Sequence, residues 1–242
     1  MANAVEVWKI PLTVSEEILE TYVNCLSVDE RSRADRFRFP DDRRKFIVAR
    51  GTLRYLLSEQ FDQPPAAIEF CYGEYGKPSV NPASQAETAQ SRAGSCNFHF
   101  NISHSGELAL CAFGHRRRVG IDLEKLKDIQ RLDGMMERCL STHERYEVAA
   151  ASNSLQAFLQ RWTCKEAYLK AIGTGLVQPM TTVEVALNPP RLISVPNDRE
   201  LDWQLHLIEV PSDYVSALVV EGKAEIKLSR WQHSLGHLSS RP

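Results

Sequence analysis

Asp122 and Glu124 stand two residues apart in RVGIDLEKL (Arg118–Leu126), where Val119, Ile121 and Leu123 alternate with them as in a half-buried strand. A period of two turns both carboxylates to one face. Like charges side by side repel, and a half-buried strand carries them only with compensation. A third acid lies in LQAFLQRWTCKEAYLKAIG, which has the pattern of a helix. At about 3.6 residues per turn, Leu155, Leu159, Trp162, Glu166, Leu169 and Gly173 share the stripe a helix normally buries. An ion pair from Glu166 to Lys170, four residues on, is worth only about 0.3–0.5 kcal/mol and forms as well on an outer face. It does not account for the position. Asp122, Glu124 and Glu166 converging would make an all-oxygen site, which selects Mg²⁺, with Mn²⁺ as a substitute. Such metals commonly hold substrate phosphates in their remaining positions.

A phosphate substrate should leave a basic trace. Ser27 to Tyr55 carries nine Arg or Lys against five Asp or Glu. GEYGKP (Gly73–Pro78) aims Lys77 from a rigid turn, and NISHSG (Asn101–Gly106) ends a strand with Ser103 and His104. Each also has a plain reading: solvated helix faces for the basic run, a structural histidine for His104. HRRRVG reads as an exposed hairpin connection.

Around these residues the chain reads as an ordinary globular one. It has 242 residues, 43% hydrophobic and 25% charged, with a net charge of −2. No global field selects nucleic acid or a membrane as partner. Six scattered cysteines without a close pair support neither a zinc site nor a redox motif, and fit reduced thiols. The amino terminus lacks a signal-peptide pattern and no apolar run is long enough to span a bilayer, so a cytoplasmic location is expected.

The elements that must position the acids can be read from pattern and punctuation. VEVWKI alternates as a strand, Ser15 opens a helix to about Leu26, and SVDE has the form of a capping box starting another. A long helix follows Pro40, Pro64-Pro65 breaks the chain, and AIEFCY resumes as a strand. Between Pro78 and Ser95 small polar residues predict an exposed loop. NFHFNIS, ELALCAF and RVGIDLE read as strands, Leu132 to Gly173 as helices broken near Leu140 and Asn153. TVEVAL, DWQLHLIEV and YVSALVV are strands, and WQHSLGHLSSRP is patternless and read as disordered. Helices followed by strands occur twice. The expected fold is therefore α+β, a pseudo-duplicated two-half architecture with a cleft between the halves, divided into 1–116 and 117–242.

Five blocks in order, RADRF, GEYGKP, FNISHSGELALCAF, GIDLEK and WTCKEAYLKAIGTG, resemble the 4′-phosphopantetheinyl transferases. The resemblance runs from Leu26 to Leu187 and favours the monomeric, surfactin-synthetase-activating type over the small trimeric holo-acyl-carrier-protein synthases. It implies an enzyme that moves the 4′-phosphopantetheine arm of coenzyme A to a serine of an apo acyl or peptidyl carrier protein. Fatty-acid, polyketide, nonribosomal-peptide and lysine-pathway carriers all remain open. It implies Asp122, Glu124 and Glu166 around Mg²⁺, Glu166 taking the serine proton directly or through a water, and Lys170 steadying the phosphate. Arg33, Lys77, Ser103 and His104 would hold the 3′-phosphoadenosine and diphosphate of coenzyme A. Glu144 matches an acid near the site, Glu30 stands where some members have a basic contact, and Arg50 lies outside a clean match. An acidic carrier would meet the basic stretch Arg36–Arg44. Two other readings stay open: another Mg-dependent nucleotide phosphotransferase, and a catalytically silent coenzyme A-binding module.

Overall fold

The computed structural model describes residues 4–81, 98–196 and 202–234. One plan occurs twice. The first run is β1 (Ala4–Pro11), helices α1 (Glu16–Cys25), α2 (Val28–Ala34) and α3 (Pro40–Phe61), a small hairpin β2 (Phe70–Tyr72) and β3 (Pro78–Val80), then β4 (Phe98–Ser105) and β5 (Leu108–His115). The second is β6 (Val119–Lys125), helices α4 (Leu132–Cys139), α5 (Thr142–Ala150) and α6 (Ser154–Ile172), a hairpin β7 (Glu184–Leu187) and β8 (Pro190–Ser194), then β9 (Trp203–Leu207) and β10 (Tyr214–Glu221). In both the last strand is central, giving antiparallel sheets ordered β1-β5-β4 and β6-β10-β9. The expected α+β pseudo-duplication is thus a repeat of topology, carried by matching element order with little residue identity.

Local chemistry sets the helix boundaries. Capping boxes Ser27/Glu30 and Ser141/Glu144 start α2 and α5. The Asn153 side chain accepts from Gln156 N at the start of α6, and Gly173 ends it at φ +81. In the first half, Ile47, Leu53, Leu56 and Leu57 of α3 pack with Ile10, Phe100, Cys111 and Phe113 of the sheet. In the second, Ala167 and Tyr168 of α6 pack with Ala217 and Val219 of β10. The opposite faces of the two sheets meet in a third cluster, Val5, Val7, Leu110 and Ala112 against Val119, Ile121, Leu123 and Leu218. One departure from expectation concerns α6. Phe158, Arg161, Thr163, Cys164, Tyr168 and Ala171 are buried along with Leu159, Glu166 and Leu169. The helix packs against β6 and β10 and also against α4, α5 and β7, so its apolar surface exceeds a single stripe.

The carboxyl-terminal stretch corrects a second expectation. A further strand β11 (Glu225–Arg230) leaves the second half and pairs in parallel with β1 of the first. Trp231 beyond it is 3% exposed and packs edge-on to Trp8 with ring centroids 6.1 Å apart. Its Nε1 donates to Tyr22 Oη at 3.1 Å. A carbonyl only accepts, so His233 Nε2 donates to Pro11 O (2.7 Å) and Nδ1 accepts from Tyr22 Oη (2.6 Å). Residues 231–234 are therefore ordered packing, invisible to periodicity because single contacts hold them; residues 235–242 lie outside the described residues. Of the expected Pro78–Ser95 loop, Pro78–Val80 is β3, and residues 82–97 also lie outside those described. Trp231→Ala should lower the unfolding free energy in a urea melt by about 3–5 kcal/mol, with unchanged kcat in the folded protein.

Candidate active site

β4 and β6 lie side by side at the junction of the halves, yet belong to different sheets. Side chains, not a backbone ladder, span the gap. Three alternate residues of β4 reach across it. Asn101 Oδ1 accepts from Ile121 N at 2.8 Å. Ser103 Oγ donates to Asp122 Oδ1 at 2.9 Å. Ser105 Oγ donates to Glu124 Oε2 at 2.9 Å and accepts from Lys125 N at 3.0 Å. Asp122 and Glu124 therefore share a face, as the period of two requires.

Gly120 brings the helix onto that face. A Cβ there would lie 2.0 Å from Ala167 O and 2.3 Å from Ala171 N, so any side chain would push α6 off β6. Ala167 follows Glu166 directly and Ala171 follows Lys170. The close approach brings Lys170 onto Asp122, with Glu166 one turn earlier on the same helix. Lys170 Nζ donates to Asp122 Oδ1 at 2.6 Å and to Ser103 Oγ at 3.0 Å. Lys170 thus makes a cross-element bond, not the i,i+4 pair with Glu166 that is the plain alternative.

Charge in the cluster is unbalanced. Three carboxylates face one ammonium, so the cluster is anionic when all three are ionised. Asp122 is 3% exposed, and its Oδ2 is buried with no hydrogen-bond partner among the described residues. Burial first, then the Asp122 charge, pushes the Glu166 carboxyl up to about 7. Burial and Asp122 also raise Glu124. Among the described residues no group of three acidic, histidine or cysteine side chains is close enough as it stands to hold a metal ion, and the Lys170 ammonium holds one Asp122 oxygen instead. The residues nonetheless fit a hard divalent cation. It would take the orphaned Oδ2, cancel the surplus charge and relieve the repulsion that raises the two glutamates.

Around this centre the other expected residues separate. His104 lies at the end of β4, where burial of its ring and the nearby Lys170 ammonium hold it below the usual imidazole range. Arg33 lies over the Phe46 ring, 5.3 Å from its centroid, in the first half. Lys77 is the exception: its ammonium faces backbone carbonyls, donating to Lys170 O (2.6 Å), Ala171 O (3.1 Å) and Val119 O (3.3 Å). All three of its N–H donors are engaged at this helix end. Glu144 is fully buried and pairs with Lys165 at 2.5 Å, a brace for α6 and not a group open to substrate. Arg43 and Arg44, expected to meet a carrier, pair with Asp35 (3.0 Å) and Glu16 (2.5 Å). Trp162 packs on Phe158 with centroids 6.0 Å apart, as expected of a core residue.

Two family models match the chain. Residues 118–219 match the 4′-phosphopantetheinyl transferase superfamily, and residues 12–115 match the 4′-phosphopantetheinyl transferase N-terminal domain. The 4′-phosphopantetheinyl transferase HetI of Nostoc sp. is 35% identical over 228 residues, covering 92% of this chain and 90% of that one. The chain belongs to the 4′-phosphopantetheinyl transferase superfamily. The 4′-phosphopantetheinyl transferase Sfp of Bacillus subtilis is 30% identical over 184 residues, 75% of each chain.

The first half of the transferase has a feature that sequence reasoning left out. A groove of about 1090 Å³ is lined by Arg33, Arg36, Arg50, Phe46, Phe70 and Tyr72, among others. The Arg50 guanidinium lies 3.7 Å over the Phe70 ring and donates to Tyr72 Oη at 2.8 Å. Beneath it Glu30, 4% exposed, pairs with Arg50 and with Arg54 at 2.7 Å. Glu30 is thus the counter-charge that holds two arginines under the groove. The spacing of Arg50 and Arg54, four residues apart on α3, was the available signal.

Raising an acid's pKa on folding means the fold favours its protonated form. Stability from Glu166 is present below about pH 4.5 and lost as pH rises to about 7. In the metal-free transferase at pH 8, Glu166→Gln should raise Tm by several degrees, on the order of 2 kcal/mol. At pH 5 calorimetry should show that gain largely gone.

Proposed function

We propose that the transferase moves the 4′-phosphopantetheine arm of coenzyme A onto a serine hydroxyl of an apo carrier protein and releases adenosine 3′,5′-bisphosphate. The observation that carries this reading is the buried Asp122, bound on one oxygen by Lys170 and Ser103 and unpartnered on the other. Such a centre suits a diphosphate delivered with a divalent cation. Kinship with HetI and Sfp, both named 4′-phosphopantetheinyl transferases, supports the same chemistry.

Asp122, Glu124 and Glu166 would hold Mg²⁺. The bound cation would neutralise the diphosphate as its P–O bond breaks. The chain's own residues do the rest. Arg33 and His104 receive the phosphate end of coenzyme A, and Ser103 keeps Asp122 turned to the centre. Lys170, whose side chain is 26% exposed, reaches from the cluster edge toward phosphoryl oxygens. Glu166 accepts the serine proton, directly or through a water when its carboxylate is on the cation. The serine oxygen bonds to the pantetheine-side phosphorus as the bond to the adenosine-side phosphate opens. Positioning and electrostatics of this kind supply most phosphoryl-transfer catalysis.

The two halves take different ends of the reaction. Residues 1–116 serve the phosphate and adenine side of coenzyme A, and 117–242 supply the acids and α6, with β11 returned to the first sheet. We infer a monomer acting in the cytoplasm, with neither nucleic acid nor membrane as partner; no described helix is long and apolar enough to cross a membrane. To test the reading, apo acyl, polyketide and peptidyl carrier proteins are incubated with the transferase, coenzyme A and Mg²⁺, and weighed by mass spectrometry. The carrier should gain one phosphopantetheine, and lose that gain with Glu166→Ala or EDTA. No gain on any carrier, with coenzyme A still bound, would point to a silent binding module.

A further inference from the structure

Among the expected site residues, Lys77 is the one whose ammonium lies on backbone carbonyls. The last turn of any α-helix leaves carbonyls without intrahelical partners. In α6 two of them, Lys170 O and Ala171 O, receive the Lys77 ammonium, which also takes Val119 O at the start of β6. A Cβ on Gly173, the left-handed residue that ends α6, would touch Lys77 Cδ at 3.5 Å, so the lysine stem lies along the helix end. Lys77 itself comes from the turn joining β2 and β3 of the other half. One side chain of the first half therefore ties together the C-terminus of the helix bearing Glu166 and Lys170 and the strand bearing Asp122 and Glu124.

The charge suits this position. A cation at a helix C-terminus meets the negative end of the macrodipole. Among the described residues no carboxylate pairs with this ammonium. Burial first, then Arg118, lowers the Lys77 amine to about 8. A desolvated cation held only by carbonyls is costly, and stability alone does not require it. The contact falls on the residue whose side chain works: Lys170 gives its carbonyl to Lys77 and its ammonium to Asp122. Gly120, one residue beyond Val119, already fixes the separation of β6 and α6, and Lys77 closes the same contact from outside.

We infer that Lys77 is a positioning residue for phosphopantetheine transfer: it sets the end of α6 against β6, so that Lys170 and Glu166 face Asp122, and it does not bind a phosphate of coenzyme A. The inference rests on the transfer reading above and yields a split in the kinetics. Lys77→Met should lower kcat by about 10–100-fold, the scale of a misplacement of about 1 Å. The KM for coenzyme A and the Kd of adenosine 3′,5′-bisphosphate, a non-reacting probe, should stay within about twofold, since no anion contact is lost.

Lys77→Gln, whose amide still donates to two carbonyls, should recover part of kcat and serves if the Met variant does not fold. Hydrogen exchange at the amides of 169–173 should speed up in Lys77→Met and relax in Lys77→Gln. A kcat unchanged in folded Lys77→Met would overturn the inference. So would a bisphosphate Kd weakened tenfold or more with kcat kept, which would make Lys77 an anion ligand. Failure of the wild-type protein to modify any carrier would defeat the transfer reading instead, leaving the exchange measurement to decide the contact.

Discussion

The structure turns on a junction where two sheets meet without a ladder. β4 and β6 run alongside each other, and Asn101, Ser103 and Ser105 fill the gap that backbone hydrogen bonds would close in a single sheet. A laddered edge would be satisfied and inert. A seam spanned by side chains leaves room for polar groups with an end to spare, and Asp122 Oδ2 is such an end. The duplicated topology makes the seam possible, because each half closes its own sheet and presents one edge to the other.

Stability and chemistry pull apart at this point. Three carboxylates around one ammonium are unfavourable in a buried place, and the raised Glu166 and Glu124 record that cost. The surroundings over-determine the arrangement. Gly120 sets the helix-to-strand distance, the buried Glu144–Lys165 pair braces α6 from behind, and Lys77 holds its end. β11 and Trp231 tie the chain end back to the first sheet, so the second half cannot drift from the first without losing a buried tryptophan. The strain is local and the support is distributed.

Much of this was legible in the residues. Period-two alternation in GIDLE showed that Asp122 and Glu124 share a face, and capping boxes at Ser27 and Ser141 marked two helix starts. The position of Glu166 in an apolar helix pointed to a partner in space. The features that stayed hidden depend on contacts between distant segments. Nothing near Lys77 says that its ammonium ends on α6 carbonyls ninety-odd residues away. Glu30 stands where some members of the family have a basic contact, and its role as counter-charge to Arg50 and Arg54 depends on how α2 packs on α3. Arg43 and Arg44 read as part of a basic stretch for an acidic carrier, and nothing in that stretch shows that they pair with Asp35 and with Glu16 of α1. Trp231 carries no periodic signal because its partners, Trp8 and Tyr22, belong to the other end of the chain.

We propose that one divalent-cation centre forms across the seam, using acids of the second half faced by the serines of the first. Substoichiometric Mn²⁺, added with coenzyme A to the ¹⁵N-labelled protein, tests it by paramagnetic broadening. Amide signals of 103–105, 121–125 and 165–167 should broaden together, and Asp122→Asn should abolish the effect on all three. Broadening confined to one half, or persisting undiminished in Asp122→Asn, would contradict the account.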